Sequence, residues 1–277
     1  MEQVIEAKPA KTADAHSLGV VYVVCVGRVG SMPEGQSVGF EVDQSTRVHY
    51  AAGLAALTVS MPHDYLSGPE AEARLGDIDW LAPRAVRHEE LVRHAMASGP
   101  ILPMRFGTVF SSALLLCELM AKYAPLVESF LERITGRAEY AVRIAYDREA
   151  GEKKLFAQLV AQAPTPSGPG VKYLLEKRIK EQAARELTSH MAGIGDEVAG
   201  QLAEFAADSV VRRAVADRGD GLETAAAHAL LVDSSKADAL THRSQQLSQA
   251  HADAGIRIEL TGPWPAYSFC PSVGGGL

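Results

Sequence analysis

The sequence predicts a two-domain α+β protein, with an N-terminal α+β domain and a C-terminal modified ferredoxin-like domain. First, 277 residues of which 47% are hydrophobic suffice for about two domains with buried cores. Second, the chain's first ordered segment has the composition of a buried strand. Third, strand and helix patterns from residue 138 follow the order β-α-β-β-α-β, the ferredoxin-like split βαβ arrangement, with a long helical insertion in its first helical part.

Charge and apolar pattern exclude several classes of protein. Lysine and arginine total 27 against 34 aspartates and glutamates, which gives a net charge of −7. Nucleic-acid and anionic-membrane surfaces need clustered basic residues, so we expect neither as a partner. No uninterrupted apolar stretch reaches the roughly eighteen residues that a membrane span needs. Residues 1–17 mix both charges and lack the apolar core of a signal peptide, so we expect a soluble cytoplasmic protein.

The expected domain bounds follow from these patterns. Residues 1–17 are expected to be a disordered extension, 18–136 the N-terminal α+β domain, 137–262 the ferredoxin-like domain and 263–277 a C-terminal tail.

In the N-terminal domain, "LGVVYVVCV" at Leu18–Val26 is dense in β-branched residues, which favours a strand buried on both faces. Two shorter strands are predicted at Val38–Val42 and Gly53–Ser60. An amphipathic helix is predicted over Ala82–Ser98, with Gly99 and Pro100 as its stop. A strand over residues 101–110 and a helix from Ser111 that closes at Gly136, kinked at Pro125, follow.

The C-terminal domain has the most regular pattern. Its predicted elements are strand Ala138–Tyr146, helix Asp147–Ala163, a long helix from Val171 to about Phe205, strands Asp208–Ala216 and Thr224–Val232, a helix from Asp233 to Gly255, and a strand from Ile256. Asp233, Ser234 or Ser235 is the expected N-cap of the last helix, and Gly255 its C-cap. The predicted buried stripe of the long helix is Val171, Leu174, Leu175, Ile179, Leu187, Met191, Ile194, Val198, Leu202 and Phe205.

The segment "HEELVRH" at residues 88–94 contains residues that could bind a metal ion, but at the wrong spacing. Two histidines bind zinc on one helix face when they are four residues apart, whereas His88 and His94 are six apart and point to different sides. His88 falls on the apolar face. Adjacent Glu89 and Glu90 diverge by about 100° and cannot act as an acid/base pair. We expect no catalytic, cofactor or metal site.

The three cysteines, Cys25, Cys117 and Cys270, are far apart and have no CxxC spacing. That pattern is typical of small buried side chains in a reducing compartment rather than of zinc or redox sites.

Arg105 interrupts the apolar strand "ILPMRFGTVF" at residues 101–110. A period of two places Phe106 on the core face and Arg105 on the opposite face, beside Pro103, which suggests an edge or a bulge. Arg105 then either pairs with a carboxylate of the fold or presents its guanidinium to a partner. Arg212 and Arg213 alternate across a later strand, so one of them is expected to guard its edge.

An aromatic segment, "GPWPAYSF" at residues 262–269, follows the last predicted strand. Its prolines stiffen it, and Trp264, Tyr267 and Phe269 either pack back onto their own domain or form an exposed partner-binding motif.

Several segments together resemble the gas vesicle protein GvpF/GvpL family over about residues 18–270. They are the buried first strand, "DWLAPRAVRHEELVRHAMASGPILPMRFGTVF" at 79–110, "EYAVRIAYD" at 139–147, "KYLLEKR" at 172–178 and "LTGPWPAYSF" at 260–269. The block ending "PMRFGTVF" and the closing "GPWPAYSF" are the specific ones. The polar head, the "PTPSGPG" region and the "CPSVGGGL" tail depart from the family pattern.

This resemblance implies a non-enzymatic accessory protein of gas vesicle formation. It implies an adaptor or chaperone that binds the small hydrophobic shell protein GvpA and other accessory proteins, is found in the cytoplasm and at the gas vesicle, and in part stays with the vesicle. Arg105, Phe106, Trp264, Tyr267 and Phe269 are the candidate partner-binding residues. The alternative is a cytoplasmic ferredoxin-like enzyme or ligand-binding sensor, which would need a deep pocket with convergent polar groups.

Overall fold

The structure, a computed structural model, describes residues 19–33, 39–41, 44–62, 64–66, 69–213 and 220–271. The chain divides into two compact units, the first running through Ser129 and the second covering Phe130–Ser272. The expected disordered extension lies outside the described residues, as do residues 272–277 of the expected tail. The domain bounds drawn from the sequence stay a prediction.

The first unit contains an antiparallel sheet in the order β2-β3-β1-β4, with β5 also paired to β1. Its strands are β1 Val20–Arg28, β2 Thr46–Ala51, β3 Leu54–Met61, β4 Ile101–Pro103 and β5 Val109–Phe110. The central strand β1 is buried along almost its whole length, as its run of β-branched residues predicts. Strand β2 was not predicted, because "TRVHYA" mixes polar and apolar residues with only partial burial.

The strand predicted at residues 38–42 is not a strand where it is described. Residues 39–41 form a turn instead, in which the Gly39 N–H donates to the Gln44 carbonyl and the Gln44 N–H donates to the Glu41 carbonyl. The Gln44 side-chain oxygen also accepts from the Phe40 and Glu41 amides. These local bonds use backbone groups that a ladder would need.

The described helices of this part of the chain are α1 Pro69–Leu75, α2 Ile78–Ser98 and α3 Ala113–Ile134. The division between the two units falls within α3. Helix α2 begins four residues before the predicted Ala82, because the Asp77 carboxylate accepts from the Asp79 amide and caps the helix there. It ends at the predicted Gly99, whose amide donates to the Met96 carbonyl.

The strand predicted over residues 101–110 is interrupted. Strands β4 and β5 both pair with β1, and backbone hydrogen bonds also join Met104 to Val24 and Thr108 to Val23. Residues 105–107 leave the strand in a turn closed by the Thr108 amide and the Arg105 carbonyl, with Gly107 at φ 90°. The expected alternation of faces is wrong at Ile101–Pro103, which is buried throughout. From Met104 to Phe110 burial alternates as predicted, with Arg105 and Val109 exposed. The position of Pro103 in an edge strand is confirmed.

The second unit contains the four-stranded antiparallel sheet β7-β8-β6-β9. Its strands are β6 Arg137–Tyr146, β7 Ala206–Val211, β8 Glu223–Asp233 and β9 Ile256–Trp264. Its helices are α4 Arg148–Gln162, α5 Pro169–Ala203 and α6 Ala237–Ala250. Read in chain order, the first and third strands are central and the second and fourth are at the edges, which is the ferredoxin-like arrangement. The predicted fold class, with α5 as a long additional helix, is confirmed.

The core of this unit packs alternate residues of β6, including Val142, Ile144 and Tyr146, against the helices. Helix α5 contributes to that core only from Ala183 onward. The predicted stripe of α5 is therefore wrong at its beginning, where Val171 and Leu174 are exposed. Periodicity predicts which face of a helix is apolar, but it does not show how far along the helix its partners extend.

The start of α6 also differs from the prediction. A 3-10 turn, Ser234–Lys236, precedes the helix, and neither Asp233 nor Ser234 caps it. The Asp233 carboxylate accepts from Arg137 Nε at 2.9 Å, and Ser234 Oγ donates to the Gly136 carbonyl at 3.0 Å. Gly255, at φ 73°, ends a 3-10 turn that follows α6 rather than α6 itself.

Candidate partner-binding surfaces

His88 is buried on α2, as predicted, and joins three parts of the first unit. Its Nε2 lies 2.9 Å from the Met104 carbonyl oxygen, and its Nδ1 lies 2.8 Å from Tyr22 Oη. A carbonyl only accepts, so Nε2 carries the proton and Nδ1 accepts from the Tyr22 hydroxyl. The Gly107 amide in turn donates to Tyr22 Oη at 3.3 Å. Because burial lowers the pKa of His88, the ring is neutral and serves the fold.

His94, the other histidine of the segment, is exposed on α2. Among the described residues, no group of three or more histidine, cysteine or acidic side chains could hold a metal ion. Cys25 is buried, which raises its pKa to about 12, whereas Cys117 and Cys270 are only half-buried. The three cysteines form no disulfide with one another.

Arg105 and Phe106 lie in the turn between β4 and β5. Arg105 is exposed, and its side chain forms no ion pair with any residue that the structure describes. Phe106 is half-buried, with its ring centroid 5.8 Å from His88 and 6.1 Å from Tyr22 in edge contacts. The turn therefore presents the arginine while the phenylalanine packs against its own unit.

The aromatic segment after β9 is attached to the second unit through Glu139. This buried carboxylate accepts from the Ser268 backbone N–H and hydroxyl, both at 2.8 Å. Phe269 is buried and Tyr267 half-buried, whereas Trp264 at the end of β9 is 38% exposed. The structure thus brings the three aromatic residues into one short segment but exposes mainly the tryptophan.

A shallow cleft of about 100 Å³ lies on the face of the second sheet that points away from the helices, which we call the Arg143 face. Its lining residues are Ala141, Val142, Arg143, Arg212, Arg213, Thr224, Ala227, Glu259 and Thr261. Arg143 is buried on β6 and pairs with Asp220 at 2.6 Å and Glu259 at 3.1 Å. The Arg143 guanidinium holds the pKa of the Asp220 carboxyl below its usual range.

Sequence reasoning did not single out Arg143. The signal was present, because an arginine in the middle of the apolar strand "AEYAVRIAY" must pair or face a partner. The sequence does not show the strand register that places Arg143 and Arg212 in one row across the sheet.

The described part of the chain has no helix that is both long and apolar enough to cross a membrane.

Comparison with known proteins gives a consistent result. The chain is 28% identical to gas vesicle protein L2 of Halobacterium salinarum over 270 residues, 91% of each chain, and 28% identical to gas vesicle protein L of Streptomyces sp. over 259 residues, 91% of this chain and 92% of that one. The crystal structure of the gas vesicle protein GvpF from Anabaena sp. PCC7120 has the same fold, with a TM-score of 0.65 at 16% identity over 92% of this chain and 99% of that one. GvpF from Microcystis aeruginosa gives a TM-score of 0.62 at 16% identity, over 92% of this chain and all of that one.

The sequence model described as gas vesicle synthesis protein GvpL/GvpF matches residues 20–271. That range covers both sheets and every described helix, so the match is to the whole fold and not to one motif. The chain therefore belongs to the GvpL/GvpF family of gas vesicle synthesis proteins.

Proposed function

We propose that this protein acts in gas vesicle formation as a non-enzymatic adaptor or chaperone, which binds the hydrophobic shell protein GvpA and other accessory proteins during assembly. The observation that carries the proposal is the family match over residues 20–271. On this proposal the protein works in the cytoplasm and at the gas vesicle, where some copies remain as a minor component.

Exposed apolar side chains support a role in binding an apolar protein. At the start of α5, Val171, Tyr173 and Leu174 are all more than half exposed, and Trp264 is exposed at the end of β9. A shell subunit that lines a gas space carries apolar surface that would aggregate before incorporation, so a binder with apolar contacts of its own would protect it. Phe106, Tyr267 and Phe269 are buried or half-buried, so we propose that they hold the exposed Arg105 and Trp264 in position for binding.

The cleft on the Arg143 face does not supply the deep pocket that the enzyme or sensor alternative needs. Pockets for small-molecule substrates usually measure roughly 300–1000 Å³, whereas the cleft on the Arg143 face measures about 100 Å³. Its buried arginine is already paired with carboxylates of the same unit.

A capture experiment tests the proposal. The purified protein, immobilised through an N-terminal tag, is incubated with freshly refolded shell protein, and we expect the shell protein to be retained and kept from aggregating. Arg105→Ala should weaken capture, because Arg105 is exposed and free to meet a partner, whereas Arg93→Ala, an exposed arginine on α2, should not. Absence of capture by the unaltered protein would refute the adaptor role, and equal loss in both variants would refute the assignment of Arg105.

A further inference from the structure

One row of side chains crosses the Arg143 face. Arg143 of β6 lies opposite Ala227 of β8 on one side and opposite Glu259 of β9 on the other. The Arg212 amide donates to the Ala227 carbonyl at 2.8 Å, so Arg212 continues the row just past the end of β7. Neighbouring strands are about 4.8 Å apart, so the side chains of Arg212 and Arg143 start roughly 10 Å from each other. Only the methyl group of Ala227 lies between them.

The cleft is the space above that methyl group. Ala227 and Ala141, which are small, line it together with Arg143, Arg212 and Arg213. A volume of about 100 Å³ fits the carboxylate end of one side chain.

The cleft carries an excess of positive charge. The positive charge of Arg143 is balanced by its ion pairs with Asp220 and Glu259. Arg212 and Arg213 are exposed, and within the described ranges neither forms an ion pair. In a chain with a net charge of −7, two guanidinium groups that have no carboxylate partner among the described residues, beside a third, favour an anionic partner.

An edge strand borders the same cleft. Among the described strands, β7 pairs only with β8, so its outer row of backbone groups faces outward. Its residues after Ala206 are exposed, and Val211, which precedes the two arginines, is 75% exposed. Such an edge can accept an added strand, with backbone hydrogen bonds giving affinity and side-chain pockets giving specificity.

We propose that the Arg143 face binds an acidic, extended segment of a partner protein. The segment's backbone pairs with the outer edge of β7, and one of its carboxylates reaches past Arg212 into the cleft between Arg212 and Arg143, which Arg213 also lines. This inference deepens the proposed assembly role, because it assigns the chemistry of one partner-binding site. It concerns a polar, charged contact, distinct from the apolar contacts proposed for the shell protein.

A labelled peptide tests this inference without any gas vesicle protein, so its failure is distinguishable from failure of the capture experiment. The probe is a short peptide that alternates valine and glutamate and carries a neutral dye, and fluorescence anisotropy measures its binding to the full chain. We expect binding that weakens with rising salt. The same peptide with glutamine at each glutamate position should not bind measurably.

Two variants and one matched control locate the site. Arg212→Gln with Arg213→Gln should weaken binding by about tenfold or more, because each loses a charge-assisted hydrogen bond. Ala227→Leu should also weaken it, since the larger side chain fills the cleft without changing charge. Arg178→Gln with Arg185→Gln removes the same charge from exposed positions on α5 and should change binding by less than about twofold.

Three results would overturn the proposal. Equal binding of the glutamine peptide would exclude carboxylate recognition, and equal loss in the two double variants would reduce the effect to net charge. Complete competition by millimolar acetate would show that a free anion satisfies the site and that β7 adds nothing.

Discussion

At the scale of single residues, the segment between α2 and β5 shows how residues that resemble a metal site can serve the fold. His88 is fixed by its two ring nitrogens to β1 and to the residue after β4, through Tyr22 Oη and the Met104 carbonyl. These bonds tie a helix, the central strand and the β4–β5 turn together inside a core where an unpaired polar group would be costly.

Replacement of Tyr22 by phenylalanine tests this hydrogen-bond chain. The variant leaves His88 Nδ1 and the Gly107 amide without their partner, so the free energy of unfolding should fall by about 1–3 kcal/mol. Tyr50→Phe is the control, because Tyr50 is 62% exposed and its loss of a hydroxyl should change stability little. Urea unfolding followed by fluorescence measures both, and equal stabilities for the two variants would contradict the role of the chain.

A pH dependence follows from the burial of His88. Burial lowers the pKa of His88 below its ordinary value of 6.5, whereas the unfolded chain titrates near that value. Above pH 6.5 both states are neutral and the contribution of His88 to stability is fully present. As the pH falls below 6.5, the unfolded state binds a proton that the folded state does not, so the free energy of unfolding decreases.

We therefore expect the urea midpoint to fall between about pH 6.5 and 5, and to fall less in His88→Gln. Part of the pH dependence of the urea midpoint should persist in His88→Gln, because burial also lowers the pKa of His49. Identical slopes in the two proteins would show that His88 does not titrate in this way.

At the scale of elements, α5 has two regions with different surroundings. Its later turns pack in the core of the second unit through residues such as Leu187, whereas its first turns expose Leu174. The same amino acid in the same helix therefore occupies opposite environments.

Two matched substitutions measure this difference. Leu187 is fully buried, so Leu187→Ala should destabilise the protein by about 2–5 kcal/mol. Leu174 is 66% exposed, so Leu174→Ala should stay within about 0.5 kcal/mol of the parent. Thermal or urea unfolding compares them, and a large loss on replacing Leu174 would mean that the start of α5 is covered in solution.

The hydrophobic pattern of the sequence predicted the helices and strands well where burial alone decides the structure. The β-branched run of β1 and the order of the second sheet needed no tertiary information, because burial and periodicity agree there. The prediction failed where a side chain or turn competes with the regular element. The Gln44 turn, the Asp77 cap and the break at residues 105–107 depend on individual hydrogen bonds that a pattern does not show.

The candidate surfaces were less predictable than the fold. Arg105 and Trp264 could be singled out from the sequence because each interrupts or follows a strand. The Arg143 face could not, because Arg143, Ala227 and Arg212 are far apart in the chain and meet only through strand register.

At the scale of the whole molecule, an acidic chain carries two compact units, and the second unit exposes surfaces of two kinds. One cleft on the second unit concentrates arginines, while the start of α5 and the end of β9 expose apolar side chains. Surfaces of both kinds suit the proposed role, in which the protein binds an apolar shell subunit and charged accessory partners.

Gene deletion in a host that forms gas vesicles tests the central claim most directly. Electron microscopy of cells that lack this protein should show no vesicles, and the intact gene supplied in trans should restore them, with small amounts of the protein detected in the purified vesicles. Normal numbers of vesicles in the deleted strain would contradict a role in gas vesicle formation.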